Sequence, residues 1–188
     1  MPLLDSVFPA RATLPECARE LLAALYPAVR WDRVSFHAEL PRSLLRFTDI
    51  AITLPDPLTL RHIRIFVARE KWDTRSVEWL GILVHESYHV LQYQEALGGM
   101  GLGPLRIFPV KYLTAAVLMG EGGAKANRYE KPAYEHEMHF LKAAKGLSLC
   151  RDGGGLDRAA LDELLRRNPV LVKTTSSHAE PQRRRESE

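Results

Sequence analysis

The amino-acid sequence predicts an α+β domain, mainly helical, with a small antiparallel sheet or hairpin packed beside one central helix. Three observations carry that prediction. Trp79, Leu80, Leu83, Val84 and Val90 supply the apolar positions of a helix bounded by a capping signal and by Gly98-Gly99. Ile63, Ile65 and Val67 alternate with Arg64, Phe66 and Ala68, the two-residue period of a strand. The chain has 188 residues, 46% hydrophobic and 26% charged, enough for one core and short for two ordinary domains.

Taken in order, residues 13–26 read as a short helix. Thr13-Leu14-Pro15-Glu16 has the Thr-x-x-Glu pattern of a capping box, and Pro27 follows the last periodic position. Leu44 to Leu54 and Leu60 to Val67 read as two strands joined at Pro55-Asp56-Pro57, and the prolines argue for an edge rather than a central position. Asp73 or Thr74 is expected to cap the central helix, which carries Glu78 in its opening turns and ends near Ala96 or Leu97. A second apolar helix is expected over Val110 to Met119. A third starts between Asn127 and Pro132 and runs to Lys145, with Gly146 as its stop. Gly153-Gly154-Gly155 then precedes a small amphipathic helix through Leu161, Leu164 and Leu165. The expected division is an N-terminal helical extension (1–43), a central domain (44–146), a C-terminal helical appendage (147–172) and a disordered tail (173–188).

Charge and composition exclude several classes of function. The formal net charge is +3, with Lys and Arg mixed among Asp and Glu, so no basic stripe for nucleic acid is present. Arg183-Arg184-Arg185 lies in the polar tail and reads as a solvated end. The most apolar stretch, Leu105 to Met119, is interrupted by Arg106, Pro109 and Lys111 and falls short of the roughly 20 residues of a transmembrane segment. A charged n-region followed by an apolar run is absent, so the expected location is cytoplasmic, or outside the cell by export without a classical signal peptide. Cys17 and Cys150 are far apart and outside any C-x-x-C spacing. They are expected to form neither a disulfide framework nor a zinc knuckle, and to fit a reducing compartment.

The chemistry concentrates in His85-Glu86-Ser87-Tyr88-His89, an H-E-x-x-H pattern on the central helix. Residues four apart share a helix face, so the two imidazoles can converge on one ion. Glu86 is rotated by about 100° and stays within reach of a water held by that ion. Zn2+ with three protein ligands and one open position brings the pKa of its water toward 7, and the neighbouring carboxylate can take the proton. His85 and His89 are therefore candidate metal ligands and Glu86 a candidate catalytic base.

A third ligand must come from elsewhere, because positions 92 and 95 are Gln92 and Glu95. Candidates are Glu121, Glu130, Glu135, Glu137, His136 and His139. Glu130 is favoured over Glu135: it sits in the first turn of a predicted helix, and Ala133, three residues on, permits close approach of the two helices. Tyr134 lies on the same face as Glu130 and is the catalytic candidate for oxyanion stabilisation or ligand orientation, with Tyr112, His136 and His139 also available. His37 and His62 read as structural residues, Trp31, Trp72 and Trp79 as packing anchors, and His178 as part of the tail.

The order of these features resembles the extracellular contractile injection system core domain, the DUF4157 family of short bacterial metallopeptidase-like domains. The matching residues are Ile52-Thr53-Leu54, Ile63-Arg64-Ile65-Phe66, His85 to Gln92, Tyr112-Leu113 and Asn127 to Tyr134, over roughly residues 47–140. The resemblance implies a zincin-like fold of the gluzincin type, with Glu130 as third ligand in the segment N-x-x-E-x-x-A-Y. It implies a zinc metalloendopeptidase acting on a peptide or protein substrate through zinc-held water activated by Glu86. The alternative function is a metal-binding, weakly catalytic or non-catalytic interaction or cargo module associated with a toxin or injection system. The strand Leu60–Val67 is a candidate edge for substrate addition by backbone hydrogen bonds.

Overall fold

A computed structural model describes residues 9–42, 48–56, 62–98 and 130–171. The helix expected over Val110 to Met119 and the tail beyond Lys173 lie outside the described residues, as do Tyr112, Glu121 and His178. The elements are β1 (Arg11–Ala12), α1 (Glu16–Leu25), β2 (Val34–His37), β3 (Ala51–Pro55), β4 (Ile63–Val67), α2 (Val77–Gly98), α3 (Glu130–Ala144) and α4 (Arg158–Arg167). The α+β class is as the sequence predicts.

The sheet is mixed, not antiparallel. Its four strands run in the order β1-β2-β4-β3, with β3 and β4 an antiparallel hairpin and β2 parallel to β4. Strand β4 is therefore interior, which corrects the edge position expected for Leu60–Val67 and removes it as a site of peptide addition. The prolines responsible for that expectation act on its neighbour: Pro55 is the last residue of β3, the edge strand. Strand β2 is short and carries buried polar residues: Val34 and Phe36 face the helices beside Ile63 and Ile65, while Ser35 and His37 lie on the opposite face beside Arg64 and Phe66. Ser35 and His37 are buried, and they satisfy each other: Ser35 Oγ lies 3.1 Å from His37 Nε2 and 3.0 Å from His62 Nε2, while His37 Nδ1 meets the Pro9 carbonyl at 2.7 Å. His37 and His62 are thus structural, as expected.

The two faces of β4 are both covered. Ile63, Ile65 and Val67 join a cluster with Leu21, Leu22 and Leu25 of α1, Leu83 and Val84 of α2, Phe140 of α3 and Leu164 of α4. Phe66 packs on the opposite face with Ile52 and Leu40. Trp79 is buried in the main cluster, with Trp31 and Trp72 packed against it.

Helix boundaries follow local hydrogen bonding. The Thr13–Glu16 capping box does not form: Pro15 is the N-cap residue and Glu16 the first helical residue, two positions before the N3 place from which a carboxylate reaches back. Helix α2 is capped by Ser76, whose Oγ accepts the Trp79 N–H at 2.9 Å, whereas Asp73 accepts the Arg75 N–H in the preceding turn. Pro132 is harmless in the first turn of α3. The helix gives way at Gly146, whose φ of 76° favours glycine. Asp157 caps α4 by accepting the Ala160 N–H at 3.0 Å.

Cys17 and Cys150 form a disulfide, correcting the expectation of separate thiols. The first turn of α1 docks on the turn before α4, where the Cys17 N–H donates to the Gly154 carbonyl at 2.8 Å, and this brings the two Cα atoms to 5.5 Å. The sequence separation of 133 residues encloses the whole of β2–β4, α2 and α3. A loop of that length removes much unfolded-state entropy. Reduction, or Cys17→Ala with Cys150→Ala, is expected to lower unfolding free energy by about 2–5 kcal/mol. Denaturant melts with and without reductant measure this; coincident midpoints would mean the bridge contributes nothing.

Candidate metal centre

His85 and His89 lie midway along the 22-residue helix α2, on the face turned toward α3. The two helices run antiparallel, and their contacts form a ladder. Gly81 meets Leu141, His85 meets Tyr134 and Glu137, and His89 meets Glu130. Gly81 permits the approach one turn before His85, since a Cβ there would stand 2.9 Å from Leu141 Cδ2. Ala133 is fully buried, consistent with the small side chain that the sequence assigns to this interface.

The side chains converge on one point. His85 Nε2 and His89 Nε2 are 3.2 Å apart. The Glu130 carboxylate lies 3.3 Å from the first through Oε2 and 3.4 Å from the second through Oε1. All three residues are buried, and together they could hold a metal ion. Glu135 does not join them: it is exposed and pairs with Lys131 at 3.9 Å. His139 is also exposed.

The outer imidazole nitrogens explain why these groups need a cation. His85 Nδ1 faces Glu137 Oε2 at 3.1 Å, and His89 Nδ1 faces Gln92 Oε1 at 2.9 Å. Each Nδ1 therefore carries the proton, which leaves each neutral imidazole with a lone pair on Nε2. Two such lone pairs and a carboxylate facing one another in a buried site repel unless a positive charge joins them. Without a metal, a proton can serve. Burial opposes a charge on His85, but Glu130 and Glu137 outweigh it and raise its pKa to about 10.

Glu86 is buried beside this group. Burial pushes its carboxyl pKa upward, against the pull of His85, His89 and a hydrogen bond from Thr53. That bond runs from Thr53 Oγ1 on β3 to Glu86 Oε2 at 2.6 Å. Tyr134 sets its ring edge-on against His85, with centroids 4.6 Å apart. The sequence names Thr53 and Gln92 only as part of matching motifs, with no role for either, and offers Glu137 only as a ligand. The carboxylate seven residues after Glu130 was the available signal for Glu137, because it falls on the same helix face.

No family model matches the chain, and no curated protein or solved structure matches it.

His85→Ala or His89→Ala is expected to abolish metal binding. Glu137→Ala should leave the ligands in place but weaken affinity about 10–100-fold by freeing the His85 ring. Competition titration with a chromophoric chelator reads both, and unchanged affinity in Glu137→Ala would refute the orienting role.

His136, a third-ligand candidate, points elsewhere. Its ring packs on Tyr88 at 4.6 Å, and its Nδ1 is 3.5 Å from the Tyr26 hydroxyl, which donates to the Val84 carbonyl. Burial, aided by His139, lowers its pKa to about 4 from 6.5. The unfolded chain binds a proton there that the folded chain refuses, so stability falls as pH drops from 6.5 and levels below 4. Denaturant midpoints measured across that window should decline less steeply in His136→Gln than in the wild type. Equal slopes would exclude His136 as a source of the decline.

Proposed function

We propose that the chain is a zinc metallopeptidase of the gluzincin type, hydrolysing peptide bonds with Glu86 as general base. The observation that carries this reading is the convergence of His85, His89 and Glu130 beside a buried Glu86. Zinc with ligands at about 2.0–2.1 Å in tetrahedral geometry spaces neighbouring donors roughly 3.3 Å apart. The donor separations of 3.2, 3.3 and 3.4 Å fit that edge. The donor set fits as well, since two imidazoles and one carboxylate leave a fourth position open.

A bound zinc would supply a Lewis acid able to make water nucleophilic near neutral pH. The chain's own residues do the rest. Glu86 accepts the proton of the attacking water at a carboxylate oxygen and returns it to the departing amine. Its upward-shifted pKa suits a group that must both take and give that proton. Glu137 and Gln92 hold the imidazoles in the required tautomer through their Nδ1 protons. Tyr134, packed on His85, is the candidate for steadying the oxyanion or the ligand ring.

The resemblance of His85 to Gln92 and of Asn127 to Tyr134 to the injection-system core domain supports the same reading. Among the described residues no helix is long and apolar enough to cross a membrane. The Cys17–Cys150 disulfide favours export to an oxidising compartment over residence in the cytoplasm.

Freshly purified, chelator-free protein should hold one zinc per chain and cleave members of a diverse peptide library. Glu86→Gln should retain the zinc and lose about 10²–10⁴-fold in cleavage rate. A zinc-loaded wild type that cleaves nothing would overturn the catalytic assignment, and protein without zinc would overturn the metal.

A further inference from the structure

We propose that Thr53 is a positioning residue that fixes the Glu86 carboxylate from the sheet, a role that rests on the hydrolase reading above. Thr53 is central in β3 and pairs in register with Ile65, so the two share the face turned toward the helices. Its side chain is buried, with Oγ1 2.6 Å from Glu86 Oε2 and 3.1 Å from the Glu86 main-chain oxygen. A hydroxyl has one proton to give. The Glu86 carbonyl lies inside α2, where a helical N–H one turn later serves it, so the proton goes to the carboxylate. At this separation the bond is charge-assisted and directional.

The consequence concerns freedom of motion. A glutamate on a helix turns about three side-chain bonds, and the helix alone does not choose among them. Thr53 does choose, because its β-branched side chain is stiff and its strand is locked to β4 over five register pairs. With Oε2 committed to Thr53, Oε1 is the oxygen left to take a proton. Two elements that share no local sequence thus set the base: α2 supplies it and β3 aims it.

The test compares wild type, Thr53→Val and Thr53→Ser, all zinc-loaded. Thr53→Val keeps the shape and loses the donor, and its kcat should fall about 10–100-fold with KM within about threefold and zinc still one per chain. Thr53→Ser should recover most of that loss. Crystal structures of the zinc-loaded proteins should show the Glu86 carboxylate displaced in Thr53→Val and in place in Thr53→Ser. An unmoved carboxylate in Thr53→Val overturns the proposal, as does a kcat equal to wild type. A wild type that binds zinc and cleaves nothing removes the hydrolase reading instead, and the Glu86 position in the crystals still decides whether Thr53 holds it.

Discussion

The antiparallel contact between α2 and α3 governs the rest of this molecule. Neither helix can hold a metal alone: α2 contributes two imidazoles on one face, and α3 contributes Glu130 at its first turn. Their register is set by Gly81 and by a ladder of side-chain contacts running from Gly81–Leu141 to His89–Glu130. A slip of one turn, about 5.4 Å, would carry the carboxylate out of reach of both histidines. Packing and chemistry are therefore the same constraint here, because the close approach that Gly81 allows is what brings the donor atoms to 3.2–3.4 Å.

Around that contact the fold supplies support from three directions. The sheet lies on one side of α2 and reaches the site through Thr53. Helix α1 braces another side, where the Tyr26 hydroxyl donates to the Val84 carbonyl at 2.9 Å, immediately before His85. The disulfide ties α1 to the turn before α4, and α4 packs on α3. Both ends of the described chain are thus fastened to the helices that carry the candidate ligands, and residues from Cys17 to Leu171 share one buried cluster.

The sequence made the candidate ligands legible because metal chemistry imposes a spacing. Two histidines four apart with an intervening glutamate meet a geometric demand that helix periodicity exposes directly, and the Glu-x-x-Ala step at 130–133 exposes the close helix. What stayed hidden was polar and long-range. Thr53 is a polar residue between two apolar ones in its strand, yet it faces α2, while Ile52 beside it packs on the other face with Phe66. Ser35 and His37 conceal β2, since their hydrogen bonds let polar residues be buried on the sheet face away from the helices. The disulfide escaped because pairing depends on tertiary approach across 133 residues, which no local pattern records.

The distinction between a hydrolase and an inert metal module turns on the cost of Glu86. A structural metal site is complete with its ligands and the groups that orient them, as Glu137 orients His85, whereas Glu86 is bonded to Thr53 and orients no ligand ring. Burying that carboxylate beside Glu130 is unfavourable, through both desolvation and like charge. The fold offsets part of the cost with the Thr53 hydrogen bond, and a cation held by the neighbouring triad would offset more. A group that expensive, held by a dedicated donor on a different element, makes physical sense where a proton must be received at a fixed place.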